Sequence, residues 1–447
     1  MSRDLACSLW SAVTRILQDK RGASATIVAI ALPALIGFGA LGAETGAWYT
    51  IKLRNQFAAD AAAISAAYEV IAGKTDVTSD LTPAASEAAA QNGYTRTTPA
   101  VIYPYSDNIV SNGVAVTLQQ THGALLASMF LSSVTIATGA VAVIKVLDNP
   151  CILALGTSGT DLEVSDSSWL DMPNCSVAAN SISSTAIDLH GSTSSIAAAT
   201  LVTQGEISLE GNPIDPAAPP PEFSLTSRPM IGAPASSFLD PYAAKLTHAF
   251  LTAGIPRTSG GDHSWNSAKT IGPGLYDKGM SFGPHAIVDM TPGVYYVTNG
   301  DFSVVAGATV TCSTCSGASG VTIILTTTAA AGATIGNVQI SSGATVTLRA
   351  PSSRTFSGLL FVQDPLAISS GSTTPDSTLG GGTGMNLNGL LYFPHTTVAF
   401  DGNPSAACTV LITNQLIIDG NSNFSISGCT SAGLTNLPTV NTVALAE

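Results

Sequence analysis

VVAGATVTC, Val304 to Cys312, is echoed by ISSGATVTL, Ile340 to Leu348. The echo extends in both directions. LEVSDSSWL from Leu162, IDLHGSTSSI from Ile187 and ISLEGNPI from Ile207 share one texture, and Phe400-Asp401-Gly402-Asn403 returns as Ile418-Asp419-Gly420-Asn421. Short aliphatic strands alternate with turns of Gly, Asn, Asp and Ser, recurring roughly every 20–25 residues, a period that suits solenoid rungs burying their inward residues against neighbours. We therefore favour a large all-β domain over 148–447, built as a right-handed β-helix or solenoid. A β-sandwich with regular turns is the main rival. Prolines crowd the stretch from Asn212 to Phe250, including Pro219-Pro220-Pro221. Such density disfavours central strands, so an extended insertion is expected over about 212–278, with a short helix over Asp240 to Leu251. Two separate β-domains would read the same way.

Composition narrows the class. Only 10% of the 447 residues are charged, against about 25% in an ordinary soluble domain. The net charge is −13, and few basic residues follow Leu147. No basic patch is present, which argues against nucleic-acid binding. Six of the seven cysteines form local pairs, Cys151/Cys175, Cys312/Cys315 and Cys408/Cys429, leaving Cys7 odd. Even, local pairing suggests disulfides in an oxidising compartment, with free buried thiols as the alternative.

The N-terminal third differs. Residues 1–21 are basic and are expected in the cytoplasm. Gly22 to Ala43 carries no charge, and a helix of that length reaches about 30 Å, one hydrocarbon core. A transmembrane helix is expected over 22–47, with the N-terminus cytoplasmic by the positive-inside bias. A cleaved signal peptide and prepilin-type processing are the rivals. Ile27 stands where type IV pilins place a glutamate. From Trp48 the sequence reads as an alanine-rich helix, with Phe57, Asp60/Ala61, Ile64, Tyr68 and Ile71 at helical spacing. Its small-residue faces permit packing on the downstream region or self-association. Up to Leu147 follows a compact α+β piece. Helix is expected over Ala84 to Gln91, strands over Val101 to Tyr105 and Gly113 to Leu118, a short helix over Gly123 to Phe130, and a strand or hairpin over Ser133 to Val146.

Arg21-Gly22, Leu32-Pro33, Glu44, Gly46, Trp48-Tyr49 and Gln56 to Ala63, with Asp60 inside it, form a pattern. It resembles the N-terminal segment of TadG-like proteins of the Flp (tight adherence) pilus machinery, with Glu44 where an aspartate is commoner. The match covers about 50 residues. The resemblance implies a bacterial inner-membrane protein, tied to pilus assembly, anchoring or adhesion, with a pilin-like region after its membrane helix. Its partners would be the membrane, other pilus or envelope proteins, and further copies of itself.

Candidate chemistry is sparse. Cys312-Ser-Thr-Cys315 is a CxxC, but no second pair completes a zinc ribbon and no strand–helix context suits a redox site. Asp161, Glu163, Asp166, Asp171 and Asp188 could line a calcium site or supply a carboxylate pair for glycan cleavage. They match no calcium-loop pattern, and turn geometry explains aspartates equally well. The six histidines are scattered, and no catalytic or nucleotide-binding motif occurs. We expect a non-enzymatic protein without cofactor or metal. A surface carbohydrate-active lyase or hydrolase, or an adhesin unrelated to pili, are the alternatives.

Overall fold

The computed structural model describes the chain except residues 1–19, 108–111, 126–127, 129–130, 149, 192, 258–262, 329–334, 372–373, 381–383, 402–404, 407–408, 421–422, 427–439 and 447. It divides into two compact units, Met1–Ile144 with Val443–Glu447, and Lys145–Thr442.

In the first unit one α-helix runs from Lys20 to Ile71, continuous through Pro33. Val28, Leu32, Leu35, Ile36, Phe38 and Leu41 are exposed along its first half. The side chains of residues 20–27, 30 and 34, which begin the apolar run, lie outside the described residues. Among the described residues no helix is long and apolar enough to cross a membrane. The second half packs on its alanines: Ala58, Ala59, Ala62, Ala63, Ala66 and Ala67 are all fully buried. The small-residue faces therefore pack within this unit, while Phe57 is 66% exposed. Methyl-sized side chains let the helix backbone approach its neighbours closely, so the small residues, not the large ones, face the core.

After a short π-type turn, Val77–Leu81, a second helix spans Thr82–Gln91. Asp76 caps the turn, accepting from the Thr78 and Ser79 N–H groups at 2.8 Å each. A four-stranded sheet follows in the order Ala100–Tyr105, Gly113–Gly123, Ser133–Asp148, Val440–Leu445, with its first three strands antiparallel. The second strand ends at Gly123, and of the short helix expected over Gly123 to Phe130, residues 126–127 and 129–130 lie outside the described residues. Ala124 N–H bonds the Ser132 carbonyl at 3.1 Å. The last strand of the chain, Val440–Leu445, completes this sheet.

The second unit is a stack of parallel strands with three strands per turn. One sheet runs through Gly274–Tyr276, Gly293–Thr298, Val321–Thr326, Leu359–Gln363 and the middle of Met385–Asp401. A second runs through Ser264–Trp265, Met280–Phe282, Phe302–Val304, Val338–Ile340 and Ser377–Leu379. A third includes Ala268–Ile271, Ile287–Met290, Thr309–Thr311 and Thr345–Arg349. The sequence echoes stack in register: Val304 on Ile340, Thr309 on Thr345, Asp401 on Asp419, and Leu162 on Ile187 on Ile207. Within this unit the only antiparallel pairing among the described residues joins Ile207–Leu209 to Asn212–Pro213. Parallel ladders of this kind are compatible with the expected solenoid and not with an antiparallel sandwich.

Stacking order departs from chain order. Leu411, Ile412 and Thr413, near the end of the chain, pair with Ile152, Leu153 and Ala154, at the start of the unit. Leu416 and Ile418 pair with Leu162 and Val164. The turns from 150 to 231 therefore sit on the last turn of the series from 264 to 426.

The first sheet is apolar on both faces, which is why VTIILT, LLFVQ and TVLIT read as continuous hydrophobic runs. Its inner row, Tyr295, Ile323, Phe361, Leu391 and Leu411, meets the core aromatics, with Phe302 5.3 Å from Phe361. Its outer row, Tyr296, Ile324, Val362, Tyr392 and Ile412, is buried as well. The proline-rich excursion covers it. Phe238, Tyr242, Leu246 and Leu251 are buried there, and the Tyr242 and Tyr392 rings meet edge to face at 5.9 Å. Burying one such side chain contributes roughly 1.5–3 kcal/mol. The excursion is shorter than expected. Phe223–Leu225 and Met230–Ile231 still belong to the stack, and stacking resumes at Ser264. Its helix is His248–Thr252, capped by the Thr247 hydroxyl. Asp240 caps no helix. Its carboxylate accepts the Tyr242 N–H at 2.8 Å and the Tyr392 hydroxyl at 2.6 Å.

Candidate functional site

The residues of the N-terminal pattern separate into two groups. Arg21 and Gly22 have side chains outside the described residues, while Leu32, Pro33, Gly46 and Tyr49 are exposed and Trp48 is half-buried. The polar members hold the helix to its own unit. Glu44 is buried and accepts the Leu125 N–H at 2.7 Å. Gln56 donates to Asp60 at 2.8 Å and to the Gly139 carbonyl at 3.0 Å. Asn55, unremarked in the sequence, reaches Gln120.

Cys151–Cys175 joins successive turns of the stack, and Cys312–Cys315 closes a turn with its Cα atoms 5.3 Å apart. Cys7, Cys408 and Cys429 lie outside the described residues. The acidic residues do not converge. Asp161 is interior, Glu163 lies on a strand of the second sheet, Asp166 sits in a turn at φ 62°, and Asp171 is exposed. Asp188 accepts from the Ser208 hydroxyl at 2.6 Å and the Gly211 N–H, and pairs with His190 at 2.7 Å. Among the described residues no group of three or more His, Cys, Asp or Glu side chains is placed to hold a metal. His248 meets the buried Asp364 at 2.6 Å, and Asp364 also accepts the Thr326 hydroxyl. That pair fastens the excursion's helix to the first sheet. His263 pairs with Asp277 elsewhere.

A cleft forms where two long loops leave the corner between the third and first sheets. Cys312 to Gly320 makes one loop and Ala350 to Gly358 the other. They wall a cavity of about 530 Å³ with Pro292, Ser319, Ser353, Arg354, Thr355 and Phe356 among its lining. The loops are tied together by the Ser352 N–H, which donates to the Ala318 carbonyl at 3.2 Å, and the first loop is tied to the preceding turn by the Gly293 N–H, which donates to the Gly320 carbonyl at 3.0 Å. Gly320 permits this approach, since a Cβ there would stand 2.3 Å from the Ala350 carbonyl carbon. Asp289 anchors the disulfide loop by accepting the Ser313 N–H at 2.7 Å and its hydroxyl at 2.6 Å. Those bonds hold the Asp289 carboxyl below the usual carboxylate range. Phe356 stacks edge to face on Phe250 of the excursion's helix, ring centroids 5.7 Å apart. Arg354 is held at φ 73°, a left-handed conformation costly for a residue with a Cβ. The sequence carried one signal of this cleft: the interval between the GATVT echoes is longer than the ordinary turn. Nothing in the sequence singled out Arg354.

In comparisons with protein-family models, curated proteins and solved structures, nothing matches this chain.

Proposed function

We propose that this chain is a non-enzymatic bacterial envelope protein, anchored in the inner membrane by one N-terminal helix, that presents its β-rich unit in the periplasm or at the cell surface and serves the assembly, anchoring or adhesion of a Flp/Tad-type pilus. One observation carries the anchoring. Val28, Leu32, Leu35, Ile36, Phe38 and Leu41 leave large apolar side chains exposed along an uncharged helical stretch. A helix apolar around its circumference requires apolar surroundings. Two disulfides support an oxidising compartment for the β-rich unit. The pilus assignment rests on the pattern from Arg21 to Ala63. We also infer a right-handed stack, because crossovers between parallel strands of one sheet are right-handed in about 98% of cases.

Deleting the gene tests the role. Loss of surface pili and attachment, restored by the full chain but not by one starting after Ala47, is the expected result. Normal piliation and attachment in the deletion strain would refute it.

A further inference from the structure

We propose that the corner cleft beside Arg354 binds a small hydroxylated carboxylate, of the class of a uronic acid sugar. Solenoids carry their insertions as loops on one face, often the binding face, and here two long corner loops, Cys312 to Gly320 and Ala350 to Gly358, lie on adjacent turns and enclose one cavity. At about 530 Å³ it falls within the range of about 300–1,000 Å³ usual for small-ligand sites. Ser353 and Thr355 bring hydroxyls that can exchange hydrogen bonds with a polyol, while the Ser319 hydroxyl is spent on its own loop, donating to the Ser316 carbonyl at 2.8 Å. Phe356 gives an apolar wall for the C–H face of a sugar ring, and its contact with Phe250 braces it.

Arg354 sets the charge. In a chain of net charge −13 it is the only ionised side chain in the lining, and among the described residues it has no ion-pair partner. A guanidinium recognises a carboxylate through paired N–H donors, which a neutral sugar cannot match. Its left-handed backbone is the second sign. Strained positions persist where surrounding structure fixes them and concentrate at ligand sites. Here the Gly358 N–H to Pro351 carbonyl bond, 2.6 Å, and the Ser357 N–H to Arg354 carbonyl bond, 3.2 Å, close the loop around it.

The test uses the purified full-length chain in detergent, with D-galacturonate and its methyl ester as probes in calorimetric titration. The ester keeps ring and hydroxyls and removes the charge. Galacturonate is expected to bind at millimolar or lower concentration. The ester, and galacturonate with Arg354→Gln, are each expected to bind about tenfold more weakly or worse, the usual size of a charge-assisted contact. Arg354→Gly serves as the folding control, because glycine favours φ 73°. It should melt no lower than the wild type and still lose galacturonate. No binding of galacturonate, equal binding of acid and ester, or full affinity in the well-folded Arg354→Gly chain would overturn the proposal. None of these outcomes depends on whether the protein serves a pilus.

Discussion

Asp161 makes the β-rich unit sensitive to pH near neutrality, and Asp161→Asn should remove that sensitivity. The side chain is completely buried. One carboxyl oxygen accepts the Ser181 N–H at 2.8 Å, while the other has no hydrogen-bond partner. It lies against Gly156, where a Cβ would stand only 2.0 Å away. Burial disfavours the ionised form and pushes the carboxyl up to about 7, against the downward pull of the Ser181 and Asn180 backbone bonds. The sign follows from linkage. An acid whose folded-state value is raised binds its proton more tightly when folded. Its stabilising share is complete below the unfolded value of 3.8 and is lost as pH rises through about 7. Each pH unit across that interval contributes about 1.4 kcal/mol, so about 4 kcal/mol disappears between acid and mildly alkaline solution.

Asparagine preserves the acceptor for Ser181 and cannot ionise. Urea unfolding of the β-rich unit, followed by tryptophan fluorescence at matched pH, should therefore give nearly equal midpoints for the two chains at pH 4. By pH 8 the variant should be the more stable by about 4 kcal/mol. Comparing chains at each pH cancels the contribution of every other titrating group. A gap that stays constant from pH 4 to 8, or that opens with the wild type ahead, would refute the reasoning.

Three further outcomes are expected. Tyr392→Phe removes the 2.6 Å bond to Asp240 and should lower stability by about 1–3 kcal/mol, with faster limited proteolysis between residues 232 and 257; unchanged cleavage would show that the bond does not hold the excursion down. Replacing Cys151 and Cys175 together by serine opens a link between residues 24 apart and should cost about 3 kcal/mol under non-reducing conditions, read as a lower urea midpoint. Ala63→Leu forces a larger side chain into the fully buried helix face and should destabilise the first unit by about 1–3 kcal/mol. A thermal melt of the helical signal, unaltered by the change, would mean that this face has room to spare.

Local patterns were legible in the sequence, and distant partnerships were not. The GATVT copies announced stacked strands because a parallel turn places like residues over like, and Thr309 does lie on Thr345. The stop at Asn92-Gly93 was readable because a residue at φ 87° ends a helix. By contrast, the alanine faces of the long helix read as packing surfaces without saying what they meet, since small side chains suit the downstream region and another copy equally. The proline-rich stretch read as a linker because its composition says what it cannot be, a central strand, and not what it covers. That Tyr392 needed a cover was written in the apolar outer row, but only once the register placed Tyr296, Ile324, Val362 and Tyr392 in one line. The cleft was fainter still, since its one charged residue owes its importance to a loop conformation that no motif encodes.

The stacking order explains why one buried carboxyl can govern the whole β-rich unit. Pro150–Ala154 has neighbours on both edges only because Thr409–Asp419 returns to it. Until then the edges beside Ile152 and Leu162 offer unpaired N–H and carbonyl groups, the usual template for wrong pairings. Closing that seam brings together residues about 250 positions apart, and the chain entropy of so long a loop must be overcome before the contacts repay it. Asp161 lies on the seam. Its own carbonyl accepts the Leu416 N–H at 2.7 Å, and its N–H reaches the Ala186 carbonyl at 2.9 Å. Gly156, which packs on its side chain, donates to the Asn414 carbonyl at 2.9 Å. Charge placed on Asp161 therefore acts where the two series of turns meet, a join with a long loop to close.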